Sequence, residues 1–218
     1  VRRETAYVIS NRSAVRYDER VREWLALFKY RGDERLATPL AALLTYAFRR
    51  LDLELNSRTL SARKWDAVIP VPVSEERLLD RGFNQAELLA RELCGQMKLP
   101  YAELFIRTRD SEKKSLQSRL ARLQSVEGLF AIDPTALERF FPISSNGATA
   151  IPAPEGPVSS HSYPHHASTG LLRLLIVDDI YTTGSTVNAC AQVLHEALRQ
   201  YAPHVQIHVY AITVARSG

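Results

Sequence analysis

Leu174-Leu175-Ile176-Val177-Asp178-Asp179-Ile180-Tyr181-Thr182-Thr183-Gly184-Ser185-Thr186 is the stretch whose reading decides the fold. Its apolar residues continue a run from Leu171 that is long enough for a buried strand. The run ends in two adjacent acids, turns through small residues and enters a helical pattern near Val187, so it reads as strand, loop and helix. A hydroxyl-rich loop at a helix N-terminus offers backbone N–H groups and the positive end of the helix dipole to a phosphate. Thr182, Thr183, Ser185 and Thr186 add hydroxyls, and Gly184 permits a close approach or a positive φ. Asp178 and Asp179 suit sugar hydroxyls, held directly or through hydrated Mg²⁺. Phosphate and diol together describe a ribose 5-phosphate. The competing reading is ordinary α/β punctuation, a buried strand followed by a capped helix.

The chain of 218 residues, 45% hydrophobic, has enough material for one good core, and we expect one domain with a peripheral cap. Lys and Arg total 28 against 24 acids, a formal charge of +4 that is compatible with phosphates or nucleic acid without selecting either. Cys94 and Cys190 stand far apart inside helical patterns, so neither a disulfide framework nor a zinc site is inferred and no zinc is expected. No apolar run reaches the length of a membrane span, and Val1-Arg2-Arg3 is not followed by a signal-peptide core, so the expectation is a soluble, cytoplasmic protein. The opening Val1 leaves a preceding segment open.

Upstream of the deciding stretch, residues 1–17, with a short β-like run at Thr5 to Ile9, read as an edge strand, and Asp18 to Lys29 as a helix N-capped by Asp18. Lys29 and Arg31 either complement that helix's C-terminus or reach an anionic ligand. A second helix spans about Glu34 to Leu53, with Pro39 in its first turns. These elements form an expected N-terminal cap over residues 1–64, ahead of a core over 65–218. Trp65 to Val73 predicts a buried strand with Pro70 and Pro72 in the loop beyond it, on the same sheet edge as the Asp-Asp loop if the strands are parallel. Arg81-Gly82-Phe83-Asn84-Gln85 then leads into a helix capped by Asn84; capping accounts for Asn84 and Gln85, but less well for Arg81 and Phe83.

Leu104 to Arg107 and Gly128 to Ile132 read as short strands around a basic segment that includes Arg107, Arg109, Lys113, Lys114, Arg119 and Arg122. That segment is read as a solvated basic helix or as a loop closing over phosphates. Residues 142–169, rich in Pro, Ser, Ala, Gly and His, read as a flexible insertion; a metal role for its His161, His165 and His166 is disfavoured because Cys and carboxylate companions are missing. Val205 to Val214 alternates apolar and polar residues and predicts a half-exposed or edge-lying closing strand.

The deciding stretch resembles the phosphoribosyl pyrophosphate (PRPP) motif of type I phosphoribosyltransferases. With Ala26-Leu27-Phe28-Lys29-Tyr30-Arg31-Gly32-Asp33, Ile69-Pro70-Val71-Pro72-Val73 and Arg81-Gly82-Phe83-Asn84-Gln85-Ala86-Glu87-Leu88-Leu89-Ala90, the chain resembles the ComF family of competence-associated, phosphoribosyltransferase-like proteins over about residues 20–215. It departs from that family in lacking a Cys-rich zinc ribbon, in having Lys114 and Ser125 where members often show Gln and Asn, and in its long insertion.

The resemblance implies a type I phosphoribosyltransferase-like α/β fold with a mostly parallel sheet. It implies PRPP or a related phosphoribosyl ligand with Mg²⁺, and a role in natural competence and DNA uptake. Asp178 and Asp179 would hold the ribose hydroxyls and, indirectly, Mg²⁺; Thr182, Thr183, Gly184, Ser185 and Thr186 would hold the 5-phosphate. Val73, Ser74, Arg77, Arg81 and Lys29 are the candidates on the pyrophosphate side. The alternatives are a non-catalytic protein binding single-stranded DNA or competence proteins, and a nucleotide-salvage transferase. No membrane insertion is expected.

Overall fold

The computed structural model describes residues 6–30, 34–57, 64–108, 128–141 and 170–217. Arg31, the basic positions Arg109, Lys113, Lys114, Arg119 and Arg122, Ser125, and the 142–169 insertion with its three histidines lie outside the described residues. Four strands, β1 (Ser10–Arg16), β2 (Ala67–Pro70), β5 (Leu171–Tyr181) and β6 (Gln206–Arg216), form a sheet in the order β1-β6-β5-β2 in which every pair is parallel. The short strands β3 (Phe105–Arg107) and β4 (Phe130–Ile132) make a separate antiparallel pair. Six α-helices and one short 3-10 helix (Glu34–Leu36) complete the described elements: α1 (Glu19–Tyr30), α2 (Ala37–Asn56), α3 (Glu75–Arg81), α4 (Gln85–Met97), α5 (Pro134–Phe140) and α6 (Ser185–Tyr201). The chain is therefore a mixed α/β protein with a parallel central sheet flanked by helices.

The period of two along β5 divides the core. Leu172, Leu174 and Ile176 join Val209 and Ala211 of β6 on one face, under α5, α6 and the β3–β4 pair. Leu175 and Val177 join Tyr210, Ile212 and Val214 on the other, under α1, α2 and α4. A strand with helices on both sides needs apolar residues at successive positions, which is why Leu174 to Val177 are all fully buried. Residues before 64 supply β1 to the sheet and α2 to one of its faces.

Several boundaries differ from the sequence reading. The edge strand expected within residues 1–17 is β1, which starts at Ser10, beyond the β-like run, because register with β6 sets it: Ser10 lies opposite Tyr210, and the Ser13 and Thr213 hydroxyls meet at 2.6 Å. That pairing encloses β6 between β1 and β5, so β6 is an interior strand and not the half-exposed or edge-lying one expected from its alternation. Its polar side chains are absorbed locally, as where the Tyr210 ring meets Trp65 edge-on at 5.4 Å. Pro70 ends β2 instead of lying beyond it. The Val68 N–H already turns outward to Pro100 O at 2.8 Å, so at the same alternation Pro70 sits where a missing N–H takes nothing from the β5 ladder.

The residues after Ser74 form a helix, α3, rather than a loop. Ser74 Oγ accepts from Arg77 N–H at its start, and Gly82, at φ 80°, closes its end. Asp133 similarly caps the unforeseen α5, accepting from the N–H groups of Thr135 and Ala136. Asp18 and Asn84 cap α1 and α4 as expected, with Asp18 Oδ1 accepting from Val21 N–H at 2.9 Å and Asn84 Oδ1 from Ala86 N–H at 3.1 Å. Leu175→Ala removes a fully buried side chain from the central strand; the expected outcome is a loss of about 3 kcal/mol in urea unfolding with an unchanged denaturant slope.

Candidate functional site

Register places the acids. β2 ends with Pro70 opposite Val177, and after Val71 N–H donates to Val177 O at 2.9 Å its chain leaves the sheet. β5 continues four residues further beside β6, with Asp178 opposite Thr213 and Tyr181 opposite Arg216. The acids therefore lie on a strand held on one side and open on the other, at the carboxyl edge where parallel α/β sheets form ligand crevices. The strand outruns the apolar run because β6 supplies its hydrogen bonds to position 181.

A cavity of about 480 Å³ opens there. Asp178 and Asp179 meet Thr182, Thr183, Ser185 and Thr186 on one wall, and Val73, Arg77 and Arg81 contribute the wall beyond β2. Lys29 lines it from the C-terminal end of α1 and forms an ion pair with the Asp179 carboxylate. Of the predicted residues, Ser74 and Gly184 do not line the cavity. Ser74 is buried at the cap of α3, and Gly184 works through the backbone.

At φ 81° Gly184 occupies the left-handed region, directly before α6, and offers no side chain to cap the first turn. A Cβ at that position would lie 2.7 Å from Cζ of Tyr181, so both the backbone angle and the packed ring call for glycine. The Thr183 and Ser185 hydroxyls meet at 2.9 Å and tie the loop across its base.

The acids are not equivalent. Asp178 is partly buried, and desolvation first, then the neighbouring Asp179, push its carboxyl up to about 8; the Asp179 N–H donated to its Oδ1 at 2.8 Å and the Lys29 charge pull the other way. Asp179 has Lys29 as its counter-charge. The same burial raises the thiol of Cys190 well above its ordinary value, with Asp178 adding to the effect and Arg107 opposing it.

Residues the sequence reading did not place in the site also line the cavity. Arg107 does so from β3, its guanidinium 5.5 Å from the Phe130 ring centroid, and Phe130 lines it from β4. Asn84 and Gln85, read as caps, line it as well. Arg107 stood out only as one cation among many, whereas Gln85 adjoined a motif that capping left partly unexplained.

No group of three or more His, Cys, Asp or Glu side chains arranged to hold a metal is present among the described residues. With Asp179 already paired to Lys29, the acids could touch a hydrated divalent cation only from outside, and such an ion would be carried chiefly by ligand oxygens. No helix among the described residues is long and apolar enough to cross a membrane.

Fold and crevice define the class: a parallel α/β protein with an acid pair and a hydroxyl-rich loop at the carboxyl edge of its sheet. No protein-family model matches the chain. It is 27% identical over 194 residues to competence protein ComFC of Bacillus subtilis, covering 89% of this chain and 61% of that protein. It is also 27% identical over 170 residues to competence protein F of Haemophilus influenzae, covering 78% and 59% respectively. DNA utilization protein YhgH of Escherichia coli K12 is 27% identical over 180 residues, covering 82% and 61%. Homology to these proteins supports assignment of the chain to the ComF family. The chain spans about three-fifths of the length of the relatives it matches.

The raised Asp178 carboxyl has a testable consequence. A carboxyl that titrates higher in the folded than in the unfolded state disfavours folding once it must ionise, so its contribution to stability falls as pH rises from about 4 to about 8. Asp178→Asn removes that dependence. Its melting temperature is expected to exceed that of the wild type most at pH 8 and to lose the advantage near pH 4, in paired melts across the range.

Proposed function

We propose that this chain is a ComF-like protein with a type I phosphoribosyltransferase-like fold, binding PRPP or a related phosphoribosyl ligand with Mg²⁺ and acting in natural competence or DNA uptake. The observation that carries the reading is the convergence, in one cavity, of Asp178 and Asp179 with the Thr182–Thr186 loop on one side and Arg77 and Arg81 on the other. That order of acids, hydroxyl loop and cations matches a sugar diol between a phosphate and a second anionic group.

In this reading the Thr182–Thr186 loop and the N-terminus of α6 hold the 5-phosphate, and the acid pair accepts hydrogen bonds from the ribose hydroxyls. Arg77, Arg81 and the backbone around Val73 border the pyrophosphate. Mg²⁺, when bound with the ligand, neutralises pyrophosphate charge. If the chain turns over, pyrophosphate leaves C1 of the ribose as a nitrogen nucleophile arrives, and these residues contribute positioning and charge stabilisation. Lys29 holds Asp179 beside the ribose site and steadies the acid pair as Asp178 ionises. The competence role rests on the relatives, whose names state competence or DNA utilization. A cytoplasmic location follows from the same reading.

Calorimetric titration with PRPP in the presence of Mg²⁺ tests the binding. The expected result is measurable affinity in the wild type and a loss of about tenfold or more in Asp178→Asn/Asp179→Asn, since hydrogen bonds to charged groups are removed. Equal affinity in both proteins, or none in the wild type, overturns the reading.

A second reading, a binding protein without turnover, is favoured by the Lys29–Asp179 ion pair, which already occupies one of the two acids. In that case PRPP binds without pyrophosphate release across purine and pyrimidine acceptors. Single-stranded DNA is then retained with a steep salt dependence that weakens when Lys113, Lys114, Arg119 and Arg122 are reversed in charge. Pyrophosphate release with any of these acceptors removes this reading.

A further inference from the structure

Lys29 stands in the last turn of α1, where a cation ordinarily complements the helix C-terminus, but its ammonium is paired with the Asp179 carboxylate at the end of β5. The backbone that delivers it is held in place, because Leu25 and Phe28 of the same helix are buried and the Phe28 ring lies 5.4 Å from that of Phe83. The pair is sheltered, with the Lys29 side chain 19% and the Asp179 side chain 13% exposed. Asp179 Oδ2 is itself closed to solvent, and among the described residues no hydrogen-bond donor other than this ammonium answers it. Asp178 is engaged from its own neighbour, its Oδ1 accepting from the Asp179 N–H at 2.8 Å.

We propose that the Lys29 ammonium is the resident counter-cation of the acid pair, taking at Asp179 the place of a divalent cation, so that the ribose end of the ligand binds without metal and Mg²⁺ serves the pyrophosphate end alone. The inference rests on the phosphoribosyl reading above and divides its Mg²⁺ requirement between the two ends of one ligand. Charge is the first reason. A divalent ion brought to Asp179 meets a positive charge already seated on the same carboxylate and has to displace it. Size is the second. Mg²⁺ gives up its waters reluctantly and holds an octahedral shell of oxygens, which an oxygen closed to solvent does not admit, whereas an ammonium is a compact charge that brings its own donors. Each carboxylate retains a second oxygen that these two contacts do not use, which suits a pair of sugar hydroxyls.

The first arm of the test uses no sugar ligand. Mn²⁺, a paramagnetic stand-in for Mg²⁺, is titrated into wild type, Lys29→Met, Lys29→Gln and Lys29→Met/Asp179→Asn and followed by electron paramagnetic resonance. The expected result is Mn²⁺ affinity about tenfold higher in both single variants than in the wild type, and back at the wild-type level once Asp179 is neutralised as well. The second arm is calorimetry with ribose 5-phosphate and with PRPP, each in Mg²⁺ and in chelator. Wild-type affinity for ribose 5-phosphate is expected to be the same in both conditions, and that for PRPP to fall about tenfold in chelator. Lys29→Met is expected to lose about tenfold in ribose 5-phosphate affinity in chelator and to regain it in Mg²⁺, a rescue that a packing defect would not show. Wild-type ribose 5-phosphate affinity that collapses in chelator, PRPP affinity indifferent to chelator, or Mn²⁺ affinity indifferent to residue 29 overturns the inference and leaves the phosphoribosyl reading standing. A wild type that binds neither sugar phosphate in either condition overturns both.

Discussion

Two carboxylates on adjacent residues, at the buried end of a strand, are a like-charge pair in a place that disfavours even one charge. Much of the surrounding structure answers that constraint. β6 runs alongside to position 181 and holds one side of the backbone, so the acids sit on a strand and not on a loose turn. Lys29 reaches across from α1 to Asp179, and the Asp179 N–H bonds back to Asp178. Desolvation and the neighbouring carboxylate push the Asp178 carboxyl up, which eases the remaining conflict. A buried acid pair kept with a dedicated counter-cation is a weak contributor to stability, and its placement in an open crevice supports the ligand-binding role proposed for it.

The same constraint explains why residues far apart in sequence meet. Lys29 can serve Asp179 only if the end of α1 is fixed, and Phe28 is fixed by full burial and by the Phe83 ring. Phe83 in turn belongs to the segment that bonds Val71 O through Asn84 and Arg81 through Gln85. Helix α1, the turn after β2 and the end of α3 are thus registered against one another by one short connection between helices.

The fold was legible where one physical signal dominated. Leu174 to Val177, followed by acids and a Thr/Gly/Ser turn, admits little except a buried strand entering a helix, and Asp18 and Asn84 announced their helices by capping chemistry. The reading failed where tertiary pairing overrides local pattern. Alternation in Val205 to Val214 suggested exposure, but β1 covers that side, and the polar residues of β6 are absorbed by Ser13 and Trp65. Ser10-Asn11-Arg12-Ser13 has weak strand propensity and is a strand because β6 provides its partners. That the acids, the loop hydroxyls, Arg77 and Arg81 would line one cavity was legible because they lie in or beside motifs. Arg107 and Phe130 were not, since only the pairing of β3 with β4 places them at the cavity.

Lys29 and Arg81 show how one cavity treats two cations differently. Lys29 is bound by a carboxylate, so its charge is largely spent on Asp179 and its effect is to shape the acid pair. Arg81 Nη1 donates to the neutral amide of Gln85 at 2.9 Å. A guanidinium presents a planar fork suited to bidentate contact with phosphate oxygens, which a flexible ammonium does not. In the proposed reading Lys29 therefore serves the protein's own acids, and Arg81 is the cation whose geometry suits an incoming anion.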